Sequence, residues 1–110
     1  MLTPIPLSVM PSTVLVKTPK ESDFGGDFNE PVEIKHVRFD DAAALVRNAY
    51  VLSDGAKGLL FIDAVNSRGA FDIPVGSLVS IDGDEYCMAG KVSPYKGFDG
   101  VIHHWEIEVV

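Results

Sequence analysis

The stretch that most restricts the fold is GLLFIDAVNS, residues 58–67, which is apolar from Leu59 to Val65 except for Asp63 and ends at Asn66 and Ser67. Its length, its Phe61, Ile62 and Val65 and the turn formers of NSRG after it predict a β-strand. Both faces of that strand are apolar, so both must be covered. In a chain of 110 residues this is achieved when a sheet curls into a barrel and loops or a partner cover the outer face.

The flanking segments carry the same period. STVLVK, residues 12–17, alternates Val14 and Val16 against Thr13, Leu15 and Lys17. PVEIKHVRFD, residues 31–40, puts Val32 and Ile34 on one face and then changes phase to Val37 and Phe39, so a bulge is expected near His36. In residues 75–92, Val79 and Ile81 precede a turn in which Asp82 and Gly83 suit positive φ, and Tyr86 and Met88 follow it. SPYKGFDG, residues 93–100, reads as another loop. In VIHHWEIEVV, Val101, His103, Trp105, Ile107 and Val109 alternate with Ile102, His104, Glu106, Glu108 and Val110. DDAAALVRN admits one short helix with an Asp as N-cap, and NAYVLSDG after it reads equally well as a strand.

The predicted fold is therefore all-β, a small barrel of about six strands with a long loop after the first strand and room for one short helix. Residues 12–110 form the barrel domain, and residues 1–11, punctuated by Pro4, Pro6 and Pro11, are expected to be extended, either mobile or laid along a neighbour. No apolar stretch approaches the ~20 residues that span a bilayer, and the first residues lack a basic n-region, so no membrane association or secretion is expected.

The chemistry is sparse. Cys87 lies alone inside a strand pattern and reads as a small buried hydrophobe. His103 and His104 are adjacent, so alternation should send them to opposite faces, and His36 has no spaced set of Cys, Asp or Glu with which to complete a metal site. No serine sits in a nucleophile elbow, no glycine loop cradles phosphate, and no cofactor is implied. Asp63 is expected to accept hydrogen bonds from the backbone of the turn at Asn66 and Ser67, because a buried carboxylate without donors is costly. The formal net charge of −7, with scattered cations, argues against nucleic-acid binding, because a duplex-binding surface needs clustered cations.

Residues 18–31, TPKESDFGGDFNEP, have no periodic apolar face yet carry two large rings. Phe24 and Phe28, with Asp23, Gly25, Gly26 and Asp27 around them, either cover an end of the core or serve a partner. A second reading of the barrel is a binding module for a nucleic acid or saccharide, using Tyr86, Tyr95 and Trp105.

Taken together, VEIKHVRFD, GLLFIDAVNS, GSLVSIDGDEYCMAGKV and IHHWEIEVV resemble, in order and spacing, the small minor capsid proteins of tailed bacteriophages and prophages, over most of residues 11–110. The resemblance implies a non-enzymatic virion protein made in the bacterial host cytoplasm and placed at the head-to-tail connection. Its implied partners are portal, adaptor and tail proteins and, in a ring, further copies of itself. It implies no specific nucleic-acid readout. By position between strands, residues 18–30 match a loop that reaches into the channel of such rings.

Overall fold

A computed structural model describes residues 3–21, 26–47, 52 and 55–110. A 3-10 turn, Leu7–Val9, precedes β1 (Ser12–Lys17), β2 (Val32–Asp41), helix α1 (Ala42–Arg47), β3 (Gly58–Asp63), β4 (Leu78–Ile81), β5 (Cys87–Lys96) and β6 (Ile102–Val109). The six strands close into an antiparallel barrel in the order β1-β2-β3-β6-β5-β4, so the predicted all-β barrel is what forms. The core is the inner face of every strand, with Val14, Ile34, Leu60, Ile62 and Ile107 fully enclosed.

The phase change in β2 is a bulge at His36. Ser12 pairs with Val37 and Thr13 with Lys35, which leaves His36 unpaired at φ 62°, and both Ile34 and Val37 thereby reach the core. Between β4 and β5, Asp82 and Gly83 have φ of 51° and 81°, and the Asp84 N–H donates to the Ile81 carbonyl at 3.0 Å, a tight turn that opens the residue 82–86 connection. The Asp82 carboxylate also accepts the Thr13 N–H at 2.9 Å, tying the turn to β1.

The short helix expected after Asp40 forms as α1, with Asp41 as N-cap, its Oδ1 accepting the Ala44 N–H at 2.8 Å, whereas most of NAYVLSDG lies outside the described residues. The loop expected at residues 93–100 is shorter than the sequence implies. β5 continues through Pro94 to Lys96, and only Gly97–Gly100 turn. Because β4 pairs β5 only at Leu78–Met88 and Val79–Cys87, residues 90–96 have a strand neighbour on the β6 side alone. A proline, which has no N–H, fits such an open edge.

The outer face of β3 is covered by the chain itself. Leu59 is buried and α1 packs against β2 and β3. Farther along, residues 3–10 cross the outside of the barrel as a strap: Thr3 meets His103 of β6, Ile5 meets Asp63 of β3, and Val9 meets Arg38 of β2. The strap is extended apart from the 3-10 turn, and Met10 closes it fully buried. The doubly apolar strand therefore needs no partner to cover it.

Inside the barrel, Trp105 is 7% exposed and its indole N–H donates to Asp72 Oδ1 at 2.8 Å. Replacing Asp72 with Ala is expected to cost about 1 kcal/mol, the net worth of one such bond. The urea midpoint together with a red shift of the Trp105 emission measures it, and an unchanged midpoint would mean that water serves the indole equally well.

Candidate functional site

Strand direction sorts the connections into two groups. β1, β3 and β5 run one way and β2, β4 and β6 the other, so the residue 18–31 loop, the turn after β3 and the β5–β6 tip gather at one end. The Asp82–Gly83 turn and the connection through α1 lie at the opposite end.

The loop-bearing end is built around Asp63. Its side chain is fully buried, with Oδ2 accepting the Val65 and Asn66 N–H groups at 3.0 and 2.8 Å and Oδ1 accepting the Ile5 N–H at 3.0 Å. Asn66 completes the clamp on the strap by donating from Nδ2 to the Ile5 carbonyl at 2.8 Å. Ser67 accepts the Asp63 N–H through Oγ at 2.8 Å and donates its hydroxyl to the His36 carbonyl, joining the turn to the bulge of β2. Lys35 and Arg68 exchange backbone hydrogen bonds at 3.0 and 2.9 Å directly beyond it. Gly69 then passes so close that a Cβ would lie 2.8 Å from the Glu33 carbonyl oxygen, and its φ of 91° favours glycine in any case.

This bracing leaves apolar side chains aimed at solvent. Val65 is 72% exposed, Val101 64%, and Phe98, at the tip of the β5–β6 hairpin, is fully exposed. Between the β3 turn and that tip lies a cavity of about 180 Å³, walled by Pro4 of the strap, Val65, Val101, Ile102 and His103. Val65, Phe98 and Val101 thus share one end, while Leu7 and Val9 are exposed on the strap and Tyr86 and Met88 toward the other end.

Of the loop residues singled out in the sequence, Asp23, Phe24 and Gly25 lie outside the described residues. Gly26, Asp27 and Phe28 are described: Phe28 bridges Pro19, the Lys20 N–H donates to the Asp27 carbonyl at 2.9 Å, and the Asn29 N–H donates to the Thr18 carbonyl at 2.8 Å. The two arms of the loop thus prolong the β1–β2 hairpin outward. Asp63, Asn66 and Ser67 stand at this same end, Asp82 and Gly83 at the other, and Trp105 belongs to the core. The aromatic platform needed by a saccharide or nucleic-acid reader does not form: Trp105 is buried, Tyr86 lies under the Lys17 ammonium, and Tyr95 stacks on His104.

Three features escaped the sequence reading. Cys87 is only partly buried and its sulfur lies 3.5 Å from Lys57 Nζ. His103 and His104 do not separate: their Nδ1 atoms are 2.8 Å apart at the start of β6, where the strand no longer holds both side chains to strict alternation. The clamp on Ile5 was legible only as a buried carboxylate with more acceptor capacity than one turn uses. Among the described residues no group of three or more His, Cys, Asp or Glu side chains is placed to hold a metal ion, and no helix there is long and apolar enough to cross a membrane.

Residues 9–109 match the family described as "Minor capsid protein". No curated protein and no solved structure matches the chain significantly.

Proposed function

The chain belongs to the minor capsid protein family, and from that premise we propose that it joins head to tail, docking on the portal or adaptor ring and closing the head or receiving the tail. Membership makes it a structural component of the virion. The observation that carries the finer reading is the polarity of the barrel. One end combines the long β1–β2 loop with the exposed Phe98, Val65 and Val101, as a subunit that meets a partner end-on requires. A ring of copies closed by heterologous lateral contacts fits a subunit with an open strand edge at residues 90–96, which have a strand neighbour on the β6 side alone. In such a ring residues 18–30 would be the channel loop. The net charge of −7 favours a lining from which DNA phosphates are repelled rather than held.

Deleting the gene from its own phage or induced prophage and imaging the lysate tests this reading. Emptied heads beside free, complete tails are the expected result. Normal infectious virions would exclude a joining role.

A further inference from the structure

A chain of hydrogen bonds runs from Glu106 to the strap. Glu106 Oε2 lies 2.9 Å from His104 Nε2, His104 Nδ1 lies 2.8 Å from His103 Nδ1, and His103 Nε2 lies 2.7 Å from the Thr3 carbonyl oxygen. Each contact needs one hydrogen. The Thr3 carbonyl carries none, so His103 Nε2 must donate. One proton must lie between the two Nδ1 atoms, because two bare lone pairs repel at that distance. One more must lie between His104 Nε2 and Glu106, on either atom. The trio therefore holds three protons, whereas an ionised glutamate with two neutral imidazoles holds two. With the third proton the trio is neutral overall, an imidazolium beside a carboxylate or its tautomeric equivalent.

We propose that His103, His104 and Glu106 form a proton-gated latch on the N-terminal strap, closed when the trio holds its third proton and open when it does not. When that proton leaves, two hydrogens serve three contacts; the Glu106 carboxylate keeps one on His104 Nε2, because a bare lone pair against an anion is the costliest arrangement, so His104 Nδ1 is bare and the single hydrogen left on His103 serves either Nδ1 or Thr3 but not both. His104 is kept in place by Glu106 on one side and by the Tyr95 ring on the other, stacked at 4.9 Å between centroids and 4° between planes. His103 must therefore turn or change tautomer. Turning carries Nε2 away from Thr3 because both nitrogens belong to one rigid ring. A change of tautomer places a lone pair of Nε2 against the carbonyl. Both routes release Thr3.

Among the described residues, charged and titratable groups face the latch from β2, β3, β5 and the β5–β6 tip. From β3, Asp63 faces it with its carboxylate already engaged by three backbone N–H groups. From β2, Arg38 and Asp40 pair with each other at 3.0 Å and line the cavity that His104 shares with Ile5 and Phe61. From the β5–β6 tip, Asp99 lines the same cavity as His103 and Pro4, and from β5, Tyr95 presents its ring face. Opening the latch frees the strap only as far as Pro4, because Ile5 stays clamped by Asp63 and Asn66. Pro4 is one wall of the cavity beside Val65 and Val101, so the proton controls access to the exposed apolar end.

Long-range proton–nitrogen correlation spectra of the full ¹⁵N-labelled chain, recorded across a pH series, read the latch directly. The expected result is that the His103 and His104 ring nitrogens shift together in one step, with the Thr3 amide moving at the same midpoint while the clamped Ile5 amide keeps its exchange protection. In His104→Gln, whose amide can donate to His103 without an added proton, the pH-dependent shift of Thr3 is expected to vanish. Ring nitrogens that respond separately without a response at Thr3, or a Thr3 shift that persists in His104→Gln, would overturn the proposal.

Discussion

Replacing Asp63 with Ala is expected to remove about 3–5 kcal/mol of stability, the largest loss of any substitution considered for this chain. The carboxylate is fully buried and serves three N–H donors from two parts of the sequence. A hydrogen bond to a charged group contributes about 1.5–3 kcal/mol, and the donors at Ile5 and Asn66 are partly buried. The net stability of a domain of this size is about 5–15 kcal/mol, so the loss takes a large share of it. Two readouts separate the mechanisms: the urea midpoint reports the whole, and hydrogen exchange at Ile5 reports the strap alone. Exchange at Ile5 should accelerate toward the unfolded rate before the barrel opens. A loss under about 1 kcal/mol would mean that a water molecule replaces the carboxylate.

Replacing Phe98 with Asp should do the opposite, leaving the fold intact while abolishing assembly. The ring is fully exposed, so its removal takes nothing from the core and stability should change by no more than about 0.5 kcal/mol. If the loop-bearing end docks on another virion protein, an aromatic at the tip of a rigid hairpin is the side chain expected to anchor the contact. Losing such an anchor costs about 2–4 kcal/mol, or roughly 30- to 1,000-fold in affinity. A phage carrying the substitution should yield tailless heads while the soluble protein unfolds at its usual urea concentration. Wild-type plaque counts would remove this end from the docking surface and turn attention to the open edge of β5.

The barrel was legible in the sequence because its strands obey a period of two and its turns use residues with one evident purpose. Asp82 and Gly83 announce a hairpin, and the change of phase between Ile34 and Val37 announces the bulge at His36. Legibility failed where the decisive partner is remote. Nothing near Pro4 or Ile5 says that the strap will meet Asp63, 58 positions away from Ile5, or His103, 100 positions away from Thr3. The continuation of β5 through Pro94 was hidden for a related reason. Proline argues against a strand only when both edges are paired, and the shortness of β4 that leaves one edge open is not written in residues 93–96. For the proposed docking end, the sequence marked the rings of the 18–31 loop and overlooked Phe98, whose significance comes from its full exposure at the tip of the β5–β6 hairpin.

The order of strands around the barrel also constrains when the protein can fold during its synthesis. β6, the last strand to emerge, sits between β3 and β5, and the strap that emerges first has its anchors on β2, β3 and β6. A nascent chain that stops short of Ile102 would therefore hold β3 and β5 with facing edges unpaired and a strap lacking its contact at His103. At roughly 5–20 residues per second, the ribosome exposes those edges for several seconds before closure is possible. Productive folding of this chain is thus a concerted event after residues 102–109 clear the exit tunnel.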